Sequence, residues 1–315
     1  MKDTWSPPTY EEAPDCRFRM MWYNSDTCNA RCTYCFAKDS HRRIREERKR
    51  WWTQEDVDRA WKRALDALGP CYVEMSGAEP TCYPKHILSL WRIGHTLQIC
   101  SNLKVAPSVL EEARADPSRI KFATSFHPLE WGFDAFSFLD QVRRYQDVGF
   151  HIMGTSIVAH PIFLPHMDRW LDLFEEKGLY AVPHPFGGEY RGKHYPVSYT
   201  EEERSWLSKR MRNEDRVECI IRRTRDENYD RCAAGWKYLM IDIDGTVCRC
   251  VKFAASCILG QQDDGMDTSH NFFREGVILN DGPRGCEHLA YCPCDNYYRY
   301  HIRKGAMVID DEQQI

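Results

Sequence analysis

Along the first two thirds of the chain, the apolar and polar positions repeat one pattern. A short run rich in β-branched and aromatic residues gives way to a stretch with apolar residues every three or four positions, and then the cycle restarts. The first such run is Phe18 to Tyr23. A helical pattern then opens at Thr53, an N-cap with Asp56 behind it, carries Val57, Ala60, Trp61, Ala64, Leu65 and Leu68, and stops at Gly69-Pro70. Further strand patterns cover Cys71 to Met75, Thr96 to Cys100, Ile120 to Ser125, Phe150 to Val158 and Leu179 to His184. Helical patterns lie near Lys85 to Ile93, Pro107 to Ala115, Asp134 to Asp147 and Leu164 to Lys177, and Thr200 to Met211 closes the series. This alternation predicts an α/β fold, a parallel sheet with right-handed crossovers. Six units are too few for a closed eight-stranded barrel.

The rest of the chain is divided by composition. Residues 1–17 read as an irregular arm, because Pro7, Pro8 and Pro14 block regular structure. Residues 18–212 hold the alternating units, the charged residues 213–231 read as a linker, and 232–315 form a smaller second unit. In that unit Tyr238, Met240 and Asp242 alternate around the Asp244-Gly245 turn, which predicts a β-hairpin folding Cys232 back toward Cys250.

Charge and cysteine usage narrow the function. A formal charge of −4 speaks against general affinity for nucleic acid, and the basic run Lys38 to Arg50 reads as a solvated helix face. No stretch approaches the roughly 20 apolar residues of a membrane span, and the N-terminus lacks the apolar core of a signal peptide, so a soluble cytoplasmic protein is expected. Fifteen cysteines are too many for idle thiols, and a chain this long and Trp-rich is not a disulfide-stapled module. Metal ligation in a reducing compartment accounts for them.

Three of these cysteines stand in Cys28-Asn-Ala-Arg-Cys32-Thr-Tyr-Cys35, directly after the first strand pattern. Three thiols this close can hold three corners of one cubane cluster and leave its fourth iron open. A structural zinc site would close its shell with a second pair or with histidines, and none sits beside this loop. The spacing, with Tyr34 in the aromatic place, resembles the radical S-adenosylmethionine (radical SAM) family. That resemblance implies a partial six-stranded (β/α)6 barrel, open at one side. It also implies a [4Fe–4S] cluster on Cys28, Cys32 and Cys35 whose open iron is chelated by S-adenosylmethionine, a flavodoxin- or ferredoxin-type reductant, and cleavage to a 5′-deoxyadenosyl radical that takes a hydrogen atom from substrate.

Other residues follow from the same resemblance. Gly77-Ala78-Glu79-Pro80 stands where family members carry Gly-Gly-Glu-Pro after the second strand, a turn whose backbone helps hold the methionine amino group. Ala78 departs from that motif and raises the question of whether the backbone there tolerates a Cβ. Ser101, Asn102 and Ser125, at later strand ends, suit the ribose and carboxylate of the cofactor, as do His127 and Thr155-Ser156, although Ser and Asn also favour turns. His127, His160 and His184 each precede a proline and read as structural.

The second cysteine set, Cys232, twelve residues, Gly245, four residues, Cys250, resembles the start of the auxiliary-cluster domains behind many radical SAM barrels. The long form, SPASM, holds two extra clusters, and the short form, twitch, holds one. Too few spaced thiols follow for the long form. A twitch subdomain built on the hairpin is expected, with a second [4Fe–4S] cluster on Cys232, Cys250, Cys292 and Cys294, and with Cys286, Cys248 and Cys257 in reserve. A zinc ribbon is the alternative. Cys16, Cys71, Cys82, Cys100 and Cys219 read as small buried hydrophobes.

The motifs specify the radical and not the substrate. The leading expectation is hydrogen abstraction from a small polar metabolite such as a sugar, a nucleoside or a natural-product intermediate. The second is a peptide-modifying enzyme forming a crosslink, thioether or epimer. Only 27 residues precede Cys28, which disfavours a leader-recognition domain in this chain. The third is a non-catalytic zinc or cluster protein. The segment Pro183 to Pro196, with Glu189, Tyr190 and Lys193, has the glycines and aromatics of a substrate loop.

Overall fold

Six strands, β1 (Phe18–Ser25), β2 (Cys71–Gly77), β3 (Thr96–Ser101), β4 (Ile120–Ser125), β5 (His151–Ala159) and β6 (Ala181–Pro185), pair in chain order, and every pair is parallel. This is the strand order of an open α/β barrel, seen here in a computed structural model that describes residues 16, 18–35, 52–211, 229–250, 270–285 and 301–303. Helices α1 (Gln54–Leu68), α2 (Pro84–Ile93), α3 (Ala135–Val148) and α4 (Leu164–Glu176) form crossovers, and α5 (Glu201–Met211) follows β6. Helix α1 starts as its sequence predicts: Thr53 and Asp56 cap one another's backbone, and the chain leaves the helix at Gly69 with φ 74°. The crossover from β3 to β4 differs from expectation. Residues Pro107–Ala115 form 3₁₀ turns bent at Leu110, because the span is bracketed by Pro107 and Pro117 and must bury Leu110 and Ala113 at once.

Alternation along the strands separates two faces. Met20, Trp22, Val73, Met75, Leu97, Ile99, Ile120, Phe122 and Ile157 face the helices and form one core with Val57, Trp61, Leu90, Phe138, Tyr145 and Phe174. The alternate positions face the barrel interior and carry polar groups. At its N-terminal end Arg19 pairs with Glu74, and Gln98 accepts from Arg19 (3.3 Å) and from the Tyr72 hydroxyl (2.9 Å). These buried groups bond one another and fill the bottom of the barrel, which leaves the C-terminal strand ends as the open face. The open flank of edge strand β6 is blunted. Thr155 N–H bonds Tyr180 C=O (2.8 Å), so by alternation Pro183 and Pro185 set imide nitrogens, without N–H, on the free side.

Beyond β6 a short hairpin, β7 (Gly188–Tyr190) and β8 (Lys193–Tyr195), occupies the expected substrate loop. Strand β9 (Tyr229–Cys232) begins within the stretch expected to be a linker, and the predicted hairpin follows as β10 (Tyr238–Ile241) and β11 (Val247–Cys248). The sequence does not reveal that β10 also pairs parallel with β1, so the central sheet has eight strands in the order β11-β10-β1-β2-β3-β4-β5-β6. A short helix α6 (Phe272–Glu275) packs Phe272 on Trp61 (4.8 Å between rings). Strand β9 is paired on both sides, antiparallel to β12 (Arg284–Gly285) and to β13 (His301–Arg303). No helix of the described residues is long and apolar enough to cross a membrane.

Candidate active site

The three-cysteine loop leaves the C-terminal end of β1 on the open face, and its entry is held by local polar chemistry. Ser25 Oγ donates to Thr27 C=O (2.8 Å) and accepts from Thr27 N–H (3.3 Å). The turn after β2 locks onto this corner: Ala78 N–H bonds Ser25 C=O (3.0 Å), and Glu79 N–H bonds Thr27 C=O (3.1 Å). That approach decides which residue of the motif must be glycine. Gly77 has φ 131°, and a Cβ there would stand 2.7 Å from Ser25 O. Ala78 has no positive φ, so the backbone there tolerates its Cβ.

Within the loop, Cys28, Cys32 and Cys35 are each half-buried, and Cys35 N–H bonds Cys32 C=O (3.2 Å). Burial pushes the Cys28 thiol up to about 11 and the Cys32 thiol up to about 12, so as bare thiols both are neutral. Ligation would supply the positive charge that the thiolates need. Among the described residues no group of three His, Cys, Asp or Glu side chains closes on a single metal ion. An all-sulfur donor set from one loop, with Ala30 N–H (3.3 Å) and the Asn102 amide (3.8 Å) already aimed at the Cys28 sulfur, suits a thiolate-held iron–sulfur cluster.

The structure joins most of the predicted cofactor residues to this loop. Glu79, 1% exposed, accepts from Thr81 Oγ1 (2.6 Å) and Ser101 Oγ (2.8 Å) at Oε1 and from Asn102 N–H (2.8 Å) at Oε2. Glu79, Ser101 and Asn102 therefore form one network with Cys28, and the backbone of Ala78 and Glu79 ties the 77–80 turn to the start of its loop. The carboxylate of Glu79, the hydroxyl of Ser101 and the N–H groups of Ala78 and Glu79 are spent inside it, so a ligand at this turn would meet backbone carbonyls rather than these groups. Thr81, Asn29 and Glu130 belong to this network and went unnoticed in the sequence. Glu130 accepts from Arg31 N–H (2.9 Å) and pairs with Lys104 (3.1 Å), and no motif marks it. Cys82 also departs from expectation. It is half-buried, and its sulfur accepts from Asn29 N–H beside the loop.

Ser125 lies apart, across the mouth on β4, with its hydroxyl 3.2 Å from that of Ser156. Tyr34 also turns to that side. Its hydroxyl is 3.2 Å from His127 Nδ1, and its ring packs against Phe163 (5.2 Å), His160 (5.7 Å) and His127 (6.0 Å). His160 continues the set against Phe186 (4.5 Å) and Tyr190 of the β7–β8 hairpin (4.6 Å). Burial lowers His127 to about 4 and lowers His160, so both rings are neutral near pH 7. Phe133, 45% exposed at φ 62°, extends the aromatic side outward with Leu129, Phe136 and Ile162. Of the predicted loop residues Tyr190 reaches the mouth through His160, whereas Glu189 and Lys193 are exposed. A cavity of about 340 Å³ lined by Asp168, Trp206 and Arg210 lies elsewhere, on the outer helical face, where Arg210 pairs with Asp168 and Asp172.

Cys232 and Cys250 belong to one apolar cluster with Ala233, Ala234, Tyr238 and Met21. Cys248 is fully buried beside Met240 and Cys250. Arg249, between them and 2% exposed, donates to the carbonyls of Ala234 (2.8 Å), Gly285 (2.8 Å), Arg284 (2.9 Å) and Cys232 (3.2 Å). Cys292 and Cys294, together with Cys219, Cys257 and Cys286, lie outside the described residues.

No protein-family model and no curated protein matches the chain. Solved structures do. Streptococcus suis SuiB bound to S-adenosylmethionine superposes with a TM-score of 0.57 at 16% identity over 83% of this chain and 64% of that one. SuiB bound to its precursor peptide SuiA superposes with 0.55 at 16% identity, over 84% and 64%. The enzyme anSMEcpe with bound AdoMet and the Kp18Cys peptide superposes with 0.54 at 16% identity, over 78% of each chain. This chain thus spans about 64% of the length of SuiB. At such identities the likeness is one of architecture: the chain shares the fold of SuiB and anSMEcpe, a partial parallel α/β barrel with the three-cysteine loop at its C-terminal strand edge.

Proposed function

We propose that this chain is a radical SAM enzyme that acts on a peptide. The observation that carries the reading is the junction of the cysteine loop with the turn after β2, where Ser25, Thr27, Ala78 and Glu79 are bonded backbone to backbone. A scaffold needs thiols to hold a metal, but it has no need for a buried carboxylate that braces a second turn against them. Cys28, Cys32 and Cys35 would hold a [4Fe–4S] cluster, which when bound supplies the electron that cleaves S-adenosylmethionine. The backbone of residues 77–80 would receive the methionine part. Ser125 and Ser156, facing it across the mouth, would receive the ribose. Cys232 and Cys250 would supply two ligands of an auxiliary cluster beside Met21, with Cys292 and Cys294 as the expected others.

The substrate class follows the neighbours. SuiB and anSMEcpe are both recorded with peptides, which favours the peptide alternative over the small polar metabolite. The exposed apolar rim of Leu129, Phe133, Phe136 and Ile162 agrees with it, since side chains of an extended peptide gain most from such a surface. The test is anaerobic reconstitution, with iron and sulfide counted, followed by incubation with S-adenosylmethionine, reductant and either a deuterated peptide library or deuterated sugars and nucleosides. Deuterium should enter 5′-deoxyadenosine from the peptides. Entry from the metabolites alone would overturn the substrate class, and deoxyadenosine formation by Cys32→Ala would overturn the enzyme reading itself.

A further inference from the structure

We propose that Asn102 tunes the cluster held by the three-cysteine loop, by donating an amide hydrogen bond to the sulfur of Cys28. This rests on the proposed function in one respect, that the loop holds an iron–sulfur cluster. The sequence expects Asn102 to meet the cofactor's ribose or carboxylate, but the geometry assigns its amide elsewhere. Asn102 is 4% exposed at the end of β3. Its Oδ1 accepts from Lys104 N–H (2.9 Å), which fixes the orientation of the amide, because only an oxygen can take that bond. The NH2 group must then face the loop, where it reaches Asn29 Oδ1 (2.9 Å) and Cys28 Sγ (3.8 Å). Both amide hydrogens are used.

The residue cannot easily move away, because its own N–H is held by Glu79 Oε2 (2.8 Å) and Glu79 is bound at its other oxygen by Thr81 and Ser101. Glu79 is thus a positioning residue for Asn102. Cys28 receives a second donor, Ala30 N–H (3.3 Å). Donors to a ligating sulfur stabilise the more negative, reduced cluster over the oxidised one, so they raise its potential. Cys28 is the corner at which this protein applies that lever through a side chain from another strand.

The test is a redox titration of the reconstituted full chain without S-adenosylmethionine, followed by the EPR signal that is absent in Cys32→Ala. Asn102→Ala removes the donor and should lower the reduced-to-oxidised ratio at a fixed potential by roughly threefold. Asn102→Asp keeps the shape but turns an acceptor toward the sulfur, and the ratio should fall by roughly tenfold, ~59 mV for a one-electron couple. Variants that load iron and titrate with the wild type overturn the proposal. So does a folded pair that cannot load the cluster at all, since a tuning donor is dispensable for assembly. A wild-type chain that takes up no iron and sulfide would reject the proposed function instead.

Discussion

The mouth of the barrel has two sides built on one edge of one sheet. Beside β1 to β3, Ser25, Thr27, Glu79, Thr81, Ser101 and Asn102 bond each other and the cysteine loop at 2.6–3.8 Å, and little is left over for a ligand except backbone carbonyls. Beside β4 to β6, Tyr34, His127, His160, Phe163, Phe186 and Tyr190 meet ring against ring, and Phe133 carries the surface into solvent. Hydrogen bonds are directional and fix positions to a fraction of an ångström, whereas ring packing tolerates tilts and shifts. The contrast teaches that one side of the mouth is fixed by directional bonds around the cysteines, while the other is held by ring packing that leaves room to shift.

That division can be broken from either side. The largest effect should come from Gly77→Ala, which sets a Cβ against Ser25 O and must part the ends of β1 and β2. We expect a loss of about 3 kcal/mol, read by urea unfolding of the apo chain. A loss below about 0.5 kcal/mol would show that the turn is not tied to β1 as described. Glu79→Ala leaves the Ser101 hydroxyl and the Asn102 N–H without their buried acceptor and should cost about 2 kcal/mol, with Glu79→Gln costing less.

On the aromatic side the same measurements should move less. His160→Ala removes contacts with four rings and should cost about 1 kcal/mol, while S-adenosylmethionine cleavage persists and becomes uncoupled from peptide. Parallel loss of both activities would merge the two sides into one. Acid offers a finer probe. Burial holds His127 at about 4, below its ordinary 6.5, so between those values the unfolded chain binds more protons than the folded one. Stability should therefore fall as pH drops from 6.5 toward 4, by on the order of 1 kcal/mol from this group, and His127→Gln should flatten that slope. The smallest effect is expected at the rim, where Phe133→Ala should raise the KM for peptide a few-fold and leave the unfolding midpoint nearly unchanged.

The elements of the barrel were legible in the sequence because each carries its own period and punctuation. Thr53 with Asp56, Gly69 after Leu68 and Asp134 before α3 each mark a helix end through their own side chain or lack of one. The helical pattern of Pro107–Ala115 does not show that the turns are 3₁₀, since its residues are helix formers and the bend at Leu110 is set by the bracketing prolines together with the core beneath it. In the site, the cysteine spacing and residues 77–80 could be read directly. Glu130 and Asn29 could not, because their partners stand 99 and 73 residues away in the chain.

By itself, then, the sequence determined the strands and helices, the three-thiol loop at the end of the first strand and the hairpin of β10 and β11. These depend on neighbours a few residues apart, whose chemistry is written in order. Only the tertiary structure decided that β10 extends the sheet at β1, that Gly77 rather than residue 78 must be glycine, and that Asn102 faces a sulfur. Each of those is a contact between segments far apart in the chain that the closing sheet brings together, so neither segment's own pattern names its partner.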